Sequence, residues 1–378
     1  MITQREAEID SYIQQNPGCK LPNVQGVSYR GQLHDLEVFR LPTGLLTFNI
    51  TNGRFVAELL AKQAKLKRKL DAGKAEDATI IQKLLLELSP DETKALKDDI
   101  TINGQIEPGL ITHDGAVINA NRRMAILRAL DEETGADKFT FIKVSRLPKG
   151  VDAKELWQIE ARLQFGKDFR LAYAAVNELL KLRAGLASGL SFRQIEKALG
   201  GRYTEKQLKE RIEVLKLIDQ YLEAIDKKNQ YHLITELRHI ERFNSLHSVV
   251  RPLKDHGSAS QIKDLPKVIE IGFKLIENEL SHWDVRKLRK IAENSEARSE
   301  LLTVYQNGVI ATDLDETQEV FRQAQDIIEA QEDKDKPEKL MRRALTAVNQ
   351  INPKHAAVKT STFKTLVRDL KQVLAKFK

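Results

Sequence analysis

The sequence predicts an α+β fold, with an α/β segment near the N-terminus followed by all-α helical domains. Two observations lead to this fold class. Up to about residue 150, short stretches with strand-like alternation of apolar and polar residues are interspersed with helical stretches. Beyond Pro148 the strand signals stop, and apolar residues recur every three or four positions as far as residue 330.

These changes of pattern predict five regions, in keeping with a chain too long for one ordinary domain. They are an N-terminal helix and loop (1–34), an α/β domain (35–150), an all-helical domain (151–330), a charged linker that contains proline (331–338) and a basic helical tail (339–378).

The first elements are set by periodicity and turn residues. Apolar spacing predicts a helix over residues 3–15, followed by a loop rich in proline and glycine. Residues 35–55 alternate in character and predict one or two strands that close on Asn52-Gly53. Helical spacing follows over residues 55–73 and stops at a glycine.

The rest of the predicted α/β domain is a series of short elements. Its local signals are Ser89 as a helix N-cap, Asp114-Gly115 as a turn between two strands, and Gly135 as a helix end. The elements themselves are a helix over 78–88, a helix from residue 90, two strands within 108–120, a helix from residue 121 and a strand over 138–147.

Composition and charge narrow the functional classes. Cys19 is the single cysteine, which excludes an internal disulfide and a multi-cysteine zinc site. Apolar runs are far shorter than a membrane span, and the first residues include acids where a secretory signal has an apolar core. We therefore expect a cytoplasmic protein with no membrane partner.

The net charge of +7 is concentrated at one end of the sequence. Residues 339–378 contain ten Lys and Arg residues and one acid, a net charge of +9, so the remainder carries −2. Clustered Lys and Arg displace counterions from phosphates, which favours a polyanion partner. A solvated basic helix without a partner is the alternative, and the sequence leaves both open.

Two adjacent arginines, Arg122 and Arg123, occupy a predicted strand-to-helix junction. The first turn of a helix has unpaired N–H groups and the positive end of its dipole, and guanidinium groups add forked donors that match phosphate oxygens. Asn121 precedes them as a candidate cap and ligand contact. The pattern therefore indicates a phosphate clamp, with surface salt bridges to nearby acids, such as those in "LDEETG", as the alternative.

Four ordered motifs extend this hypothesis. They are "NITNGR" (49–54), "GQIEP" (104–108), "ANRRMA" (120–125) and "EARLQF" (160–165). In this order they resemble the N-terminal domain of the ParB/sulfiredoxin superfamily, best known from partition proteins. The resemblance covers about residues 35–218.

The resemblance implies a nucleoside triphosphate, ATP or CTP, bound together with Mg²⁺. It assigns nucleotide contacts to Arg54, Gly104, Arg122, Arg123 and Gln164. It assigns catalytic positions to Glu107, Asn121 and Glu160, of which Glu107 and Glu160 are also the candidate metal ligands, since Mg²⁺ prefers oxygen donors.

The sequence departs from the family at several of these positions. The family has glutamine before proline and glutamate before the two arginines, where this chain has Glu107 and Asn121. The family's Glu-Asn pair corresponds to Ala161-Arg162 or, with a shift of one, to Glu160-Ala161. The catalytic cysteine of sulfiredoxin falls at Asn121, so sulfiredoxin activity is not expected. No Walker A pattern occurs, so a conventional P-loop ATPase is not expected either.

The resemblance continues into a predicted helix-turn-helix. It comprises residues 191–199, a turn at Gly200-Gly201 and residues 204–218, with Ser191 and Thr204 as N-caps. The second helix of such a motif enters the major groove of DNA. The candidate DNA contacts are Lys206, Lys209 and Arg211, and two packed helices of an all-α domain are the alternative.

The expected function is that of a ParB-like, nucleotide-dependent DNA-binding protein with NTPase activity, in DNA segregation or in a DNA-modification or defence system. The first alternative is a DNase or the ATPase partner of a 7-deazaguanine-type base-modifying enzyme. The second is a catalytically inactive DNA-binding scaffold. Expected partners are DNA, a ParA-like ATPase or a DNA-modifying enzyme, and a second copy in a homodimer.

Overall fold

The computed structural model describes residues 3–51, 53, 55–165, 175–234, 237–306, 314–332 and 336–377. The chain forms two compact units, one of Met1–Arg251 and Leu280–Arg286, the other of Pro252–Glu279 and Lys287–Lys378. A six-stranded mixed sheet near the N-terminus is followed by helices, which confirms the α+β class.

The sheet is built from short and long strands in the order β1-β2-β6-β4-β5-β3. The strands are β1 Lys20–Tyr29, β2 Gln32–Pro42, β3 Thr47–Phe48, β4 Gly109–Ile111, β5 Ala116–Asn119 and β6 Phe141–Arg146. β4 pairs with β6 and β3 with β5 in parallel, and the other neighbours are antiparallel. The predicted turn at Asp114-Gly115 joins β4 to β5, as expected.

The segment after the first helix was predicted as a loop, and this prediction is wrong. It forms β1, which pairs with β2 from Lys20 opposite Phe39 to Tyr29 opposite Gln32. Arg30 and Gly31 connect the two strands, both with positive φ (51° and 77°), as a tight hairpin turn requires. The strand was missed because its proline and glycine weaken the alternation, and its pairing partner stabilises it.

Five helices belong to the same region as the sheet. They are α1 Gln4–Gln15, α2 Val56–Leu66, α3 Ala75–Glu87, α4 Pro90–Asn103 and α5 Asn121–Thr134. α2 ends earlier than predicted, at Lys67 in the left-handed region (φ 53°). Ser89 does occupy the N-cap position of α4, but its side chain makes no capping hydrogen bond, because its backbone is left-handed (φ 47°).

Helices continue to the end of the described chain, and none of the described residues after Arg146 forms a strand. The helices are α6 Ala153–Phe165, α7 Ala175–Ala187, α8 Phe192–Ala198, α9 Glu205–Ala224, α10 Leu237–His256, α11 Ala259–Glu277, α12 His282–Glu293, α13 Ser295–Gln306, α14 Leu314–Glu332, α15 Pro337–Asn349 and α16 Ser361–Ala375. Within the described ranges, no helix has the length and hydropathy needed to cross a membrane.

Buried side chains cover the sheet in two clusters. The larger cluster joins the sheet to α1–α5 and includes Phe48, Phe55 and Met124, all at most 2% exposed. The smaller cluster joins β1, β4 and β5 to α6 through residues such as Leu110 and Ile159. The sheet is therefore covered by helices on both sides, and α6 links it to the helical region.

The contact between α6 and α7 depends on a glycine. A Cβ atom at Gly185 would lie 2.7 Å from Cε2 and 2.8 Å from Cζ2 of Trp157. The indole is fixed because its Nε1 donates to the Lys181 carbonyl at 2.9 Å. A larger side chain at residue 185 would therefore have to displace either the indole of Trp157 or the backbone of α7.

We expect Gly185→Ala to destabilise the protein by about 1–3 kcal/mol, the usual cost of overpacking, although alanine favours helices. Urea unfolding followed by circular dichroism measures this change. The loss should shrink in a Trp157→Phe background, since the nearest ring atoms are then removed. Stabilisation of about 1 kcal/mol would show instead that helix propensity prevails over the clash.

Candidate functional site

The strand-to-helix junction between β5 and α5 is tightly built. Ala120, between them, has φ 93°, a left-handed conformation that costs a non-glycine residue on the order of 1–3 kcal/mol. β4 lies close to it: a Cβ on Gly109 would be 2.9 Å from the Asn119 carbonyl oxygen and 2.9 Å from the Ala120 Cβ.

Asn121, the first residue of α5, is buried and bonded at both ends of its amide. Its Oδ1 accepts the backbone N–H of Asn49 at 2.9 Å, and its Nδ2 donates to the Val117 carbonyl at 2.7 Å. The side chain therefore holds Asn49 against the end of β5. We call the described residues 49–51, 53 and 55 the β3–α2 loop.

The same loop is held by a buried ion pair. Oε1 of Glu160, on α6, accepts the N–H of Gly53 at 3.2 Å, and its Oε2 lies 2.6 Å from Nζ of Lys181, on α7. The two charged side chains are 6% and 2% exposed. A third side chain, Asn177 of α7, accepts the N–H of Ala57 at 3.0 Å. Buried polar side chains from α5, α6 and α7 thus converge on one loop and the start of α2.

Glu58, just after this loop, is a further polar group in the cluster that sequence reasoning missed. Burial raises the pKa of its carboxyl, outweighing a hydrogen bond from Asn177, and its Oε2 has no hydrogen-bond partner. The sequence signal was an acid within the apolar run "FVAELLA". Groups with perturbed pKa values concentrate at functional sites, although structural networks perturb them too.

The two arginines of the predicted phosphate clamp lie in the first turn of α5. Arg123 donates from Nη1 to the Glu107 carbonyl, which brings the second and third motifs together. The Arg122 side chain is 15% exposed, and its Nη1 lies 3.4 Å from Oε2 of Glu92 on α4. The nearby acid is thus on α4, whereas Glu133 of "LDEETG" pairs with Lys97.

The segment that carries Gly104 and Glu107 is fixed by one side chain. Gly104 ends α4 with φ 69°, a conformation that suits glycine. The next residue, Gln105, is buried, accepts the N–H of Lys143 at 2.6 Å and donates to the Lys143 carbonyl at 2.8 Å. The segment is therefore attached to β6, while Glu107 itself is exposed.

Two predicted nucleotide contacts fall outside what the structure describes. Arg54 lies outside the described residues, as does the side chain of Gln164. At the alternative register of the fourth motif, Arg162 donates to the Ser28 carbonyl at 3.2 Å, so it contacts β1. Of the two registers, the one with Glu160 places a carboxylate at the β3–α2 loop.

The predicted helix-turn-helix segment forms α8 and α9. Ser191 and Thr204 each make a complete capping box with a glutamine three residues later, as the sequence predicted for these N-caps. Gly200 and Gly201 connect the helices with positive φ (63° and 74°). Five apolar residues of this segment pack together with Trp157 and Leu182: they are Leu190, Ile195, Leu199, Leu208 and, partly buried, Ile212.

The three predicted DNA contacts differ in their surroundings. Lys206 is exposed on the first turn of α9. Lys209 is also exposed and pairs with Glu205 one turn before it, at 2.8 Å. Arg211 instead stacks on the Tyr203 ring at 4.0 Å and lies 3.1 Å from Oε1 of Glu178 on α7. Arg211 therefore attaches α9 to α7.

A separate cluster joins α1 to the turn between β4 and β5. Ligand-type atoms of Glu6, Asp10 and His113 lie within 4.8 Å of one another. Lys149 Nζ is 2.7 Å from Glu6, however, and Arg146 pairs with Asp10, so both carboxylates already have a cation. We interpret the cluster as an ion-pair network.

No protein-family model matches this chain, and no curated protein is similar enough to match it. The assignment of a function therefore depends on the geometry of the β3–α2 loop, the α5 N-terminus and the α8–α9 pair.

The buried ion pair gives a direct test of this architecture. We expect Glu160→Gln or Lys181→Met alone to cost about 3–5 kcal/mol, because each leaves an uncompensated buried charge or polar group. The double variant should lose clearly less than the sum. Chemical denaturation measures the four stabilities.

Lys216→Met is the matched control, since Lys216 makes an exposed pair with Glu213 and should cost less than about 1 kcal/mol. Additive losses for Glu160 and Lys181 would contradict a coupled pair.

Proposed function

We propose that this protein binds duplex DNA through α8 and α9 and binds a nucleoside triphosphate, ATP or CTP, at the N-terminal end of α5. The observation that carries the nucleotide assignment is that Arg122 and Arg123 directly follow Asn121, whose buried side chain bonds the β3–α2 loop. A helix N-terminus with two guanidinium groups favours polyphosphate. A loop held by buried side chains of α5 and α6 is pre-organised for a ligand.

The DNA assignment is supported by α8, the start of α9 and the connection between them. The exposed residues of this segment include five basic ones: Arg193, Lys197, Arg202, Lys206 and Lys209. Two short-linked helices with an exposed basic N-terminal region fit the major groove and its flanking phosphates. Arg211 contributes by positioning α9 on α7, since its guanidinium is held by Tyr203 and Glu178.

Mg²⁺ would accompany the triphosphate, and the oxygen donors near the clamp fit it in part. The exposed carboxylate of Glu107 suits a hard cation. Glu160 suits it less, because Lys181 already neutralises it and the Gly53 amide occupies its other oxygen. We propose that Glu160 positions the loop and that the exposed Glu107 is the candidate metal ligand.

A second candidate function is a DNA-binding scaffold that does not hydrolyse nucleotide. The observation that favours it is the engagement of two predicted catalytic residues in structural bonds. Asn121 bonds Asn49 and Val117, and Glu160 bonds Gly53 and Lys181. In this case, nucleotide binding would persist without appreciable turnover.

The nucleotide assignment predicts that Arg122→Ala lowers triphosphate affinity by roughly tenfold to a hundredfold, the effect of losing a charge-assisted hydrogen bond. Calorimetry with ATP, CTP and GTP, each with Mg²⁺, measures this and identifies the base. Lys97→Ala is the control, since it removes a cation from the far end of the same helix pair. Equal triphosphate affinity in Arg122→Ala and the wild-type protein would contradict the phosphate clamp.

The DNA assignment predicts that Lys206→Ala and Lys209→Ala each weaken duplex binding. If each contacts one phosphate, each should also reduce the slope of log affinity against log salt by about 0.9. Fluorescence anisotropy over a salt series measures both effects. Lys228→Ala, an exposed lysine beyond the other end of α9, should change neither. Unchanged slopes in all three variants would refute the proposed DNA surface.

A further inference from the structure

The last two helices, α15 and α16, expose most of their apolar side chains. None of their residues is buried. Within the described residues, nine of the seventeen exposed large apolar side chains lie in this short C-terminal part. They are Met341, Leu345, Val348, Ile351, Leu366, Leu370, Val373, Leu374 and Phe377, with exposures of 38–71%. We call α15, α16 and Phe377 the basic tail.

The exposed apolar residues of α16 form a single stripe. Leu366, Leu370, Val373 and Phe377 recur every three or four positions, so they share one face. Leu370 lies at the centre of the stripe. Ser361, Thr365 and Gln372 occupy the opposite face.

Basic side chains border these stripes. At 3.6 residues per turn, Lys371 lies about 40° from Val367 at one edge of the α16 stripe, and Lys376 about 60° from Val373 at the other. In α15, Arg342 lies about 60° from Leu345 at one edge of the stripe formed by Met341, Leu345 and Val348. Arg343 lies on the far face, where its Nη2 is 2.6 Å from Oε2 of Glu329 on α14. Each helix thus combines an apolar face with basic side chains on at least one of its edges.

Contrary to the expectation from the sequence of no membrane partner, we propose that the basic tail binds the surface of an anionic lipid bilayer, with its helices parallel to the membrane plane. A helix with an apolar face, basic borders and few acids buries its apolar side chains at the headgroup–acyl boundary while Lys and Arg reach the headgroups. The segment from residue 339 onward has ten basic residues and one acid, which matches an anionic surface. The tail lies on such a surface without crossing it.

DNA as the partner would account for the basic side chains of the tail but not for its apolar stripes. Phosphates would neutralise the Lys and Arg side chains, but the apolar stripes of α15 and α16 would stay in water. Exposed apolar patches of this kind mark protein or membrane contacts. DNA binding through α8 and α9 does not account for them.

A second copy of the tail as the partner would account for the apolar stripes but not for the positive charge. Pairing two α16 helices would cover the stripes, but it would also bring together two segments that each carry a net charge of +9. Like charges at the edges of such a seam are destabilising. An anionic bilayer covers the apolar stripe and neutralises its cationic edges at the same time.

The test uses the full chain and vesicle sedimentation. Vesicles of phosphatidylcholine with about a third phosphatidylglycerol should bind the protein, and vesicles of phosphatidylcholine alone should not. Leu370→Asp should lower the partition coefficient more than about fiftyfold, through lost burial and one added negative charge. Gln372→Asp adds the same charge to the opposite face and should cost only about fivefold.

Three outcomes would overturn the proposal. Equal losses of vesicle affinity in the two variants would show that binding depends on charge alone, as expected of a tail that binds nucleic acid. Absence of binding to anionic vesicles would refute the bilayer directly. A concentration-dependent dimer in analytical ultracentrifugation, lost in Leu370→Asp but not in Gln372→Asp, together with no vesicle binding, would assign the stripe to a second copy. Leu370 is exposed, so its replacement should leave the rest of the chain folded.

Discussion

The need to satisfy the interior backbone of the β3–α2 loop is the constraint on which the described N-terminal part of the molecule depends. Buried amide groups must have partners, and an irregular loop provides few of its own. Here the partners are side chains of Asn121, Glu160 and Asn177, each from a different helix. Lys181 then has to be buried as well, because Glu160 carries a charge.

This arrangement makes α7 the connection between the two proposed binding regions. One side of α7 supplies Asn177 and Lys181 to the loop. Another side supplies Glu178 to Arg211 of α9 and Arg183 to Asp219, at 2.9 Å. Tyr231 completes the second contact, donating to Asp219 at 2.6 Å, and burial raises the pKa of its hydroxyl to about 12. A single rigid helix thus fixes the position of α9 relative to the loop.

The basic tail contrasts with this part of the molecule. Around the β3–α2 loop, polar groups are buried and almost fully paired, whereas the tail exposes apolar side chains that the described chain does not cover. The first pattern is typical of a pre-organised site and the second of a surface that meets a large partner. The proposed ligands differ accordingly. The N-terminal part is proposed to bind a triphosphate and DNA, and the basic tail is proposed to bind an extended anionic surface.

The sequence by itself determined the features that depend on neighbouring residues. The caps Ser191 and Thr204, the Asp114-Gly115 turn and the α5 start at Asn121 all follow from local backbone chemistry.

Only the tertiary structure decided the roles that depend on residues distant in sequence. β1 forms because β2 pairs with it, although its own alternation is weak. Arg211 forms an ion pair with Glu178, and Glu160 forms one with Lys181. Asn121 accepts a hydrogen bond from the Asn49 backbone N–H. These partners are unrelated in local pattern, since a buried charge or amide is satisfied by whichever group the fold brings within about 3 Å.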